Sequence, residues 1–310
     1  MDNSKNTIIS YCLFSSKKNS SEIRNWDLHN GENRYWYNIP AIVCVNLFMF
    51  PQAEMHIYYS SDLKDHFLFN FLIQLEKKIT QFKLIEISDE YENTEFTLFR
   101  FYPLFEKTCD ILFCRDLDSV PNEDEIIAGK FFISFEQFLT QNIRSHTNHK
   151  YPITKILAGL CGFRPKKIDF IKEINFKDFY ESNSSSEYGI DQKSIIEIFT
   201  KQTDWLKKYF VDLRIITKLH DPKKPLIKCK SYKISELKKS KFVNTNEKHF
   251  LQHLNKLTSW AGEPIDSRGI WLIKCLIFAE ENGKEILDLI KTNEIWQEFY
   301  FITKNETIAS

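Results

Sequence analysis

The chain has 310 residues, of which 43% are hydrophobic and 15% aromatic, so it can bury a sizeable core. Lysine and arginine together number 42, as do aspartate and glutamate, so the chain lacks the basic excess typical of nucleic-acid-binding proteins. We therefore expect one large domain, or one domain with a smaller appendage, and no nucleic acid as a partner.

The cysteines and the N-terminus both bear on the cellular compartment. Seven cysteines are scattered without C-x-x-C spacing, several of them in apolar runs, which is typical of buried, reduced thiols and argues against a zinc site. Residues 1–6 are polar and lack the apolar core of a signal peptide. The longest apolar stretch, residues 39–50, is too short to cross a bilayer. These features predict a soluble, cytoplasmic protein.

The first half of the chain alternates strand-like and helix-like runs. The β-rich runs predict strands over residues 7–14, 55–60, 82–87 and 109–114. Apolar residues at helical spacing predict helices over residues 38–49, 67–79 and 94–105. Pro40 would lie near the first turn of its helix, where proline is tolerated, and Pro103 predicts the end of the third helix.

The second half is less regular. Its pattern predicts a short helix over residues 155–161, a longer helix over 191–208 and a late strand over 212–217. From about residue 221 the composition shifts to lysine-rich loops, with helices predicted over 248–257, over 270–281 and near the C-terminus. We predict a domain over residues 1–220 and a mainly helical C-terminal extension over 221–310.

Strands that alternate with helices form βαβ units, so the sequence predicts an α/β fold with a mainly parallel sheet flanked by helices. In such sheets, ligands bind beyond the carboxyl ends of the strands. The polar residues at 15–16, 61–62, 88–89 and 115–118 follow predicted strands and are therefore the first candidates for a functional site.

Two aspartates, Asp116 and Asp118, follow the most apolar of these strands. Residues two apart on an extended backbone point to the same face, so both carboxylates can bind one cation. Like charges this close are costly without a counter-ion, and hard oxygen ligands favour magnesium or manganese. Such a metal binds a diphosphate and stabilises it as a leaving group. The alternative interpretation is a polar strand end that faces water.

The segment around these aspartates resembles the D-x-D motif of glycosyltransferases with the GT-A fold. Other segments that look like members of that fold follow one another in order, at residues 35–50 (YWYNIPAIVCVNLFMF), 99–104 (FRFYPL), 112–119 (LFCRDLDS), 143–149 (IRSHTNH), 153–162 (ITKILAGLCG) and 188–192 (YGIDQ). The resemblance covers about residues 7–220 and departs from the pattern at Val120, where a basic residue is expected.

The resemblance implies a Rossmann-like domain that moves a sugar from a nucleotide-sugar donor to a glycan, lipid or protein acceptor, with manganese or magnesium as the metal. Arg100 would contact the donor phosphates or hold the aspartates, because its fork binds two oxygens. Arg115 and Asp116 would also contact the donor nucleotide. Ala158 and Gly159 would form a turn of small residues where the backbone approaches the donor sugar. The alternatives are a surface arginine and ordinary packing at a helix end.

The segment from Gly189 to Gln192 looks like the G-x-D-Q segment of retaining GT-A enzymes. There, Asp191 and Gln192 would line the cleft between donor sugar and acceptor, as catalytic residues. A carboxylate in that place can bond sugar hydroxyls or stabilise positive charge at the anomeric carbon. The alternative is that Asp191 caps the next helix. His220, after the predicted late strand, would be a third metal ligand beside Asp116 and Asp118.

Two other functions stay open. Residues 116–120 (DLDSV) also resemble the motif of haloacid-dehalogenase-like phosphatases, in which the first aspartate is a nucleophile and the second a general acid. That family places the motif on its first strand, whereas three strands are predicted before it here. The third interpretation is a non-catalytic protein of the GT-A fold that acts as a binding module.

Overall fold

A computed structural model gives the fold of the protein. The structure describes residues 6–14, 31–66, 68–88, 91, 96–144, 156–183, 189–214, 230–239, 242–254 and 283–292.

Eight strands in these residues form one sheet. They are β1 (Thr7–Leu13), β2 (Ala53–Tyr59), β3 (Phe82–Glu86), β4 (Ile111–Arg115), β5 (Thr140–Arg144), β6 (Leu160–Phe163), β7 (Phe210–Arg214) and β8 (Lys230–Lys233). Their order across the sheet is β3-β2-β1-β4-β6-β5-β7-β8. Strand β6 runs antiparallel to both of its neighbours, and all the other neighbouring pairs are parallel. The predicted α/β fold with a mainly parallel sheet is confirmed.

Helices cover both faces of the sheet. The α-helices of the described residues are α1 (Gly31–Met49), α2 (Phe69–Lys78), α3 (Tyr102–Glu106), α4 (Glu123–Ser134), α5 (Phe176–Ser182), α6 (Ile190–Thr200), α7 (Thr203–Tyr209), α8 (Ile234–Leu237), α9 (Thr245–Leu254) and α10 (Lys284–Thr292). Helices α3, α5, α6 and α7 pack on one face, and the others contribute to the core on the opposite face.

Strand β4 lies near the middle of the sheet and is buried on both sides. Ile111 and Phe113 belong to the core cluster on one face, and Leu112 and Cys114 to the cluster on the other. A strand covered on both faces needs apolar side chains at every position, which explains its continuous apolar run. The residues that follow β4 therefore emerge at the carboxyl end of a rigid, central strand.

The four strands predicted in the first half are confirmed as β1 to β4, but the helices differ at the two prolines. Helix α1 begins at Gly31, so Pro40 lies inside it instead of near its first turn. Trp36 and Ile39, which precede the proline, are buried, and this packing offsets the hydrogen bond that Pro40 cannot donate.

The helix predicted over residues 94–105 is instead a 3₁₀ helix, Phe96–Phe101, followed by the short helix α3. Pro103 stands in the first turn of α3, where its fixed φ is suitable, and does not end a helix. The end of α3 is marked by Lys107, whose φ of 50° is left-handed.

Two predictions in the middle of the chain were wrong, and some elements were not predicted. Residues 160–163 form β6, not the end of a helix, because they pair with both β4 and β5. The helix predicted over 191–208 is divided into α6 and α7 by Lys201 and Gln202. Strand β5 and helix α4 were not predicted at all. The late strand is present as β7, and residues 215–217 of its predicted range lie outside the described residues.

The described C-terminal residues pack on the same core as the rest of the chain. Strand β8 pairs with β7, and Ile234, Phe250 and Ile286 belong to one core cluster with residues of α1 and α4. The helix predicted over 248–257 corresponds to α9, and the one over 270–281 lies outside the described residues. The domain boundary near residue 220 stays a prediction. In the described ranges, no helix has the length and apolar character needed to span a membrane.

Candidate functional site

The two aspartates of the D-x-D segment follow the carboxyl end of β4. Asp116 is the first residue after the strand, and its side chain is 43% exposed. The prediction assumed an extended backbone through this segment, but residues 117–118 form a turn. The alternation of exposure persists nonetheless, because Leu117 is buried in the core while Asp116 and Asp118 are both partly exposed.

Arg100 brings Asp116 together with Asp191. It lies on the 3₁₀ helix Phe96–Phe101, and its Nε donates to the carbonyl oxygen of Thr97 at 3.0 Å. Its Nη1 forms an ion pair and hydrogen bond with Asp116 Oδ1, and its Nη2 lies 3.6 Å from Asp191 Oδ2. Three residues from separate segments of the chain thus meet beyond the end of the central strand.

The charges of these three side chains depend on one another. The Arg100 side chain is only 6% exposed, and burial alone would lower its pKa, but the Asp116 and Asp191 carboxylates outweigh burial and raise that pKa well above its ordinary value. Burial raises the pKa of Asp191, the charge of Asp116 raises it further, and Arg100 opposes both. Arg100 is therefore a permanent cation between two acidic groups, one of which is less acidic than usual.

Asp191 lies in the first turn of α6, but it is not the N-cap residue. The N-cap is Gly189, whose φ of 78° is left-handed and therefore suits glycine. Asp191 Oδ1 accepts a hydrogen bond from the backbone N–H of Gln192 at 2.8 Å, while Oδ2 faces Arg100. One carboxylate oxygen thus binds the backbone at the start of α6, and the other faces the charged cluster. The Gln192 side chain is half-buried in the same turn.

The small-residue turn predicted at Ala158 and Gly159 also reaches this place. A Cβ atom added to Gly159 would lie 1.8 Å from Asp116 Oδ2, so no side chain fits there while Asp116 keeps its position. Ala158 is buried beside it in the core. The group that the Gly159 backbone approaches in the structure is the Asp116 carboxylate, and its approach to a donor sugar stays a prediction.

Arg115 does not join this group. Neighbouring residues of a strand point to opposite faces, and the Arg115 guanidinium lies on the face opposite Asp116. There it forms a buried ion pair with Glu125 of α4, and its Nη2 donates to Ser119 Oγ at 3.2 Å. Residues 15–16 and 89, and the proposed metal ligand His220, lie outside the described residues.

The donor set for a metal is incomplete within the described ranges, where no group of three or more histidine, cysteine, aspartate or glutamate side chains could hold an ion. Asp116 and Asp118 nevertheless are both partly exposed and carry hard carboxylate oxygens. Magnesium in particular is commonly held by one or two carboxylates together with substrate phosphates and water. The residues present therefore fit a metal that arrives with a diphosphate.

Two asparagines that the sequence did not single out hold the backbone around the site. Asn38 of α1 donates from Nδ2 to the carbonyl oxygen of Leu117 at 3.1 Å. Asn142 of β5 accepts from the backbone N–H of Leu157 at 2.9 Å and so fixes the approach to Gly159. A buried asparagine in a largely apolar run was the available signal for Asn38, because a buried amide needs partners.

Thiols underlie the site, on the face that carries Arg100. Burial raises the pKa of Cys12 to about 12, and it also raises the pKa of Cys114 well above its ordinary value. Cys114 Sγ donates to the carbonyl oxygen of Arg100 at 3.4 Å. These thiols stay protonated at neutral pH and act as packing and hydrogen-bonding groups, not as nucleophiles.

Comparisons with known proteins give likenesses in structure but none in sequence. No family model matches the chain, and no curated protein matches it. Its structure is similar to that of the mannosyltransferase PcManGT from Pyrobaculum calidifontis, solved in complex with GDP-Man and Mn2+. The TM-score is 0.39 and the sequence identity 11%, over 99% of this chain and 75% of that one. At this similarity, the function has to be argued from the residues of the chain itself.

Proposed function

We propose that the protein is a metal-dependent glycosyltransferase of the GT-A fold that moves a sugar from a nucleotide-sugar donor to a glycan, lipid or protein acceptor. One observation carries the proposal. Arg100, Asp116 and Asp191 come from three separate segments of the chain, each of which resembles a segment of the GT-A fold. They meet in one charged cluster beyond the carboxyl end of the central strand, where ligands bind in sheets of this kind.

In this proposal, Asp116 and Asp118 hold manganese or magnesium together with the donor diphosphate. The metal, when bound, neutralises the negative charge that develops on the diphosphate as it leaves. The exposure of both aspartates agrees with this role, because a carboxylate that binds a substrate-borne metal must be reachable from solvent. His220 is the proposed third ligand, on sequence grounds alone.

Arg100 holds the two essential carboxylates in place. Its two terminal nitrogens face Asp116 and Asp191, which suits the planar fork of an arginine and would not suit the single ammonium group of a lysine. The positive charge also offsets the repulsion between the carboxylates. Of the two roles that the resemblance allowed, contact with phosphates or support of the aspartates, the geometry favours the second.

Asp191 and Gln192 are proposed to face the donor sugar and the acceptor. The Asp191 carboxylate lies beside the Arg100 cation and near the Asp116 anion. Burial and the charge of Asp116 raise its pKa, and Arg100 opposes this rise. A carboxylate in such a place can accept hydrogen bonds from sugar hydroxyls or stabilise positive charge at the anomeric carbon. The G-x-D-Q resemblance further favours transfer with retention of configuration.

The direct test is a donor screen. Purified protein is incubated with manganese and a panel of common UDP- and GDP-sugars, and release of nucleoside diphosphate is measured with and without acceptor sugars. We expect release from at least one donor. Asp118→Asn should abolish the manganese-dependent binding of nucleoside diphosphate, measured by calorimetry. The melting temperature should stay the same, because the substitution removes a partly exposed negative charge close to that of Asp116. Unchanged affinity in Asp118→Asn would contradict the metal site.

A further inference from the structure

Arg115 was expected to contact the donor, but it lies on the opposite face of the sheet in contact with helix α4. We propose that Arg115 is a positioning residue, which joins the turn carrying Asp116 and Asp118 to α4 through Ser119 and Glu125. The inference rests on the proposed function only where it takes the turn to be part of a metal site. The contacts of Arg115 themselves do not involve a ligand.

The contacts of Arg115 connect three points of the chain. Arg115 is the last residue of β4. Its guanidinium forms an ion pair with Glu125 in the first turn of α4, and its Nη2 donates to Ser119 Oγ at 3.2 Å. The segment 116–122 connects β4 to α4. The Arg115 side chain contacts this segment at Ser119 and links the strand before it to the helix after it. Only a planar fork offers two donor groups in such different directions.

Other contacts leave the segment 116–122 little freedom elsewhere. Leu117 and Val120 are buried in the core, and Asn38 of α1 donates to the Leu117 carbonyl oxygen. Asn122 caps α4 by accepting from the Glu125 N–H at 3.1 Å. Ser119, which is itself buried, is therefore the link that sets how the backbone runs between Asp118 and the helix.

A buried ion pair is a poor way to gain stability alone. The Arg115 and Glu125 side chains are 8% and 5% exposed, and removing such charges from water costs about as much as their attraction returns. Apolar residues of similar volume usually serve a core equally well. A pair that fixes a turn has a reason to be polar, because hydrophobic contacts do not specify the direction of a backbone.

The surroundings of the pair lower its cost. A cavity of about 30 Å³ lies against it, lined among others by Tyr11, Asn46 and Gln141. That volume can hold water, which needs roughly 10–15 Å³ and several polar partners. Tyr11 and Asn46 are hydrogen-bonded to each other at 3.0 Å, and Gln141 Oε1 has no protein partner in the described structure. Water in the cavity can therefore solvate the charges.

The test separates positioning from stability by replacing both charges. In Arg115→Met/Glu125→Leu, the core stays filled without a lone charge, so we expect a folded protein with a similar melting temperature. Amide hydrogen exchange of residues 117–120 should become at least about tenfold faster, because the turn loses its tie to α4. A folded double variant in which these amides keep the protection of the wild type would overturn the inference.

A smaller change covers the case in which the double variant does not fold. Ser119→Ala removes one hydrogen bond to a charged donor, so exchange at residues 117–120 should rise by about tenfold in protein that remains folded. The matched control is Ser134→Ala at the other end of α4, whose hydroxyl donates to the Lys130 carbonyl oxygen at 2.9 Å, and which should leave residues 117–120 unaffected. Equal exchange in Ser119→Ala and wild type would refute the positioning role.

Nucleotide binding then tells the two proposals apart. If the wild type binds nucleoside diphosphate with manganese, Ser119→Ala should bind about three- to tenfold more weakly, whereas Ser134→Ala should bind as the wild type does. A folded Ser119→Ala protein with wild-type affinity counts against the inference. If the wild type binds no nucleoside diphosphate at all, the proposed function fails, and hydrogen exchange still decides whether Arg115 positions the turn.

Discussion

Gly159 lies so close to Asp116 that a Cβ atom on it would come within 1.8 Å of the Asp116 Oδ2. The backbone before β6 and the carboxylate after β4 therefore occupy adjoining space, and neither can change alone. We expect Gly159→Ala to push the Asp116 carboxylate aside and to weaken manganese-dependent binding of nucleoside diphosphate by at least about tenfold, measured by calorimetry. Stability should fall little, because Asp116 is partly exposed and can turn towards water.

The control for Gly159→Ala is another glycine in a tight place. A Cβ on Gly129 of α4 would meet the ring of Phe50 at 3.0 Å, on the opposite face of the sheet. Gly129→Ala should change the free energy of unfolding by up to about 1–3 kcal/mol, as overpacking does, and leave nucleotide affinity unchanged. Equal affinity losses in both variants would mean that the effect of Gly159→Ala is not specific to Asp116.

Removal of Arg100 should destabilise the protein as well as inactivate it. In Arg100→Met, Asp191 remains buried without its cation, whereas the more exposed Asp116 can turn to solvent. We expect a loss of about 3 kcal/mol in the free energy of unfolding at pH 7, measured in urea, because an unpaired buried charge is costly. Part of this loss should disappear at lower pH, where Asp191 binds a proton.

An exposed ion pair provides the comparison for Arg100. Lys167 Nζ lies 3.1 Å from Glu136 Oε2, and both side chains are about half exposed. Lys167→Met should therefore change the free energy of unfolding by less than about 1 kcal/mol. A similarly small change in Arg100→Met would show that Asp191 does not depend on the arginine.

The main features of this site could be predicted from sequence because they follow local rules. A continuous apolar run marked β4 as a strand buried on both faces, and the aspartates after it fell at the carboxyl end of the sheet. The opposite direction of Arg115 follows from the alternation of side chains along a strand, whereas the resemblance implied that Arg115 and Asp116 both contact the donor nucleotide.

The remaining features depend on tertiary contacts that no local pattern contains. Strand β5 (TQNIR) is polar yet wholly buried, because Asn142 bonds to the backbone of Leu157 and Arg144 forms a buried pair with Asp212 at 2.9 Å. Strand β6 was mistaken for a helix because a short apolar run fits either structure until its pairing partners are known.

The raised pKa of Asp191 predicts a definite pH dependence. A carboxylate whose folded pKa exceeds its unfolded value binds protons better when folded, so its contribution to stability decreases as pH rises from the ordinary aspartate range through the raised pKa. Asp191→Asn removes this dependence. The free energy of unfolding of the variant, relative to wild type, should therefore increase as pH rises from the ordinary aspartate range, about pH 4, through the raised pKa. A flat difference would contradict the raised pKa.

Turnover gives the second measurement on Asp191→Asn. The amide oxygen can still accept from the Gln192 N–H, so the helix start should survive, while the negative charge in the cleft is lost. We expect turnover to fall at least about tenfold in protein that remains folded. The control is Asp204→Asn, a fully exposed residue whose pKa is lowered by its hydrogen bond to Lys207, so its pH dependence has the opposite sign. Retained turnover in Asp191→Asn would leave Asp191 with a structural role only.

The products of the reaction distinguish a transferase from a phosphatase, because each needs something different from Asp116. A phosphatase of the haloacid-dehalogenase type requires Asp116 as a covalent nucleophile, so it would form an aspartyl-phosphate and release phosphate from simple monoesters. In the structure, Asp116 is paired with Arg100 and enclosed by Gly159 on one side, which suits a carboxylate held in place.

We therefore expect nucleoside diphosphate from a nucleotide sugar and no phosphate from p-nitrophenyl phosphate, both assayed with manganese. Asp116→Asn should abolish the first reaction and leave the second at background. Phosphate release that Asp116→Asn abolishes, with nucleotide sugars left intact, would establish the phosphatase instead.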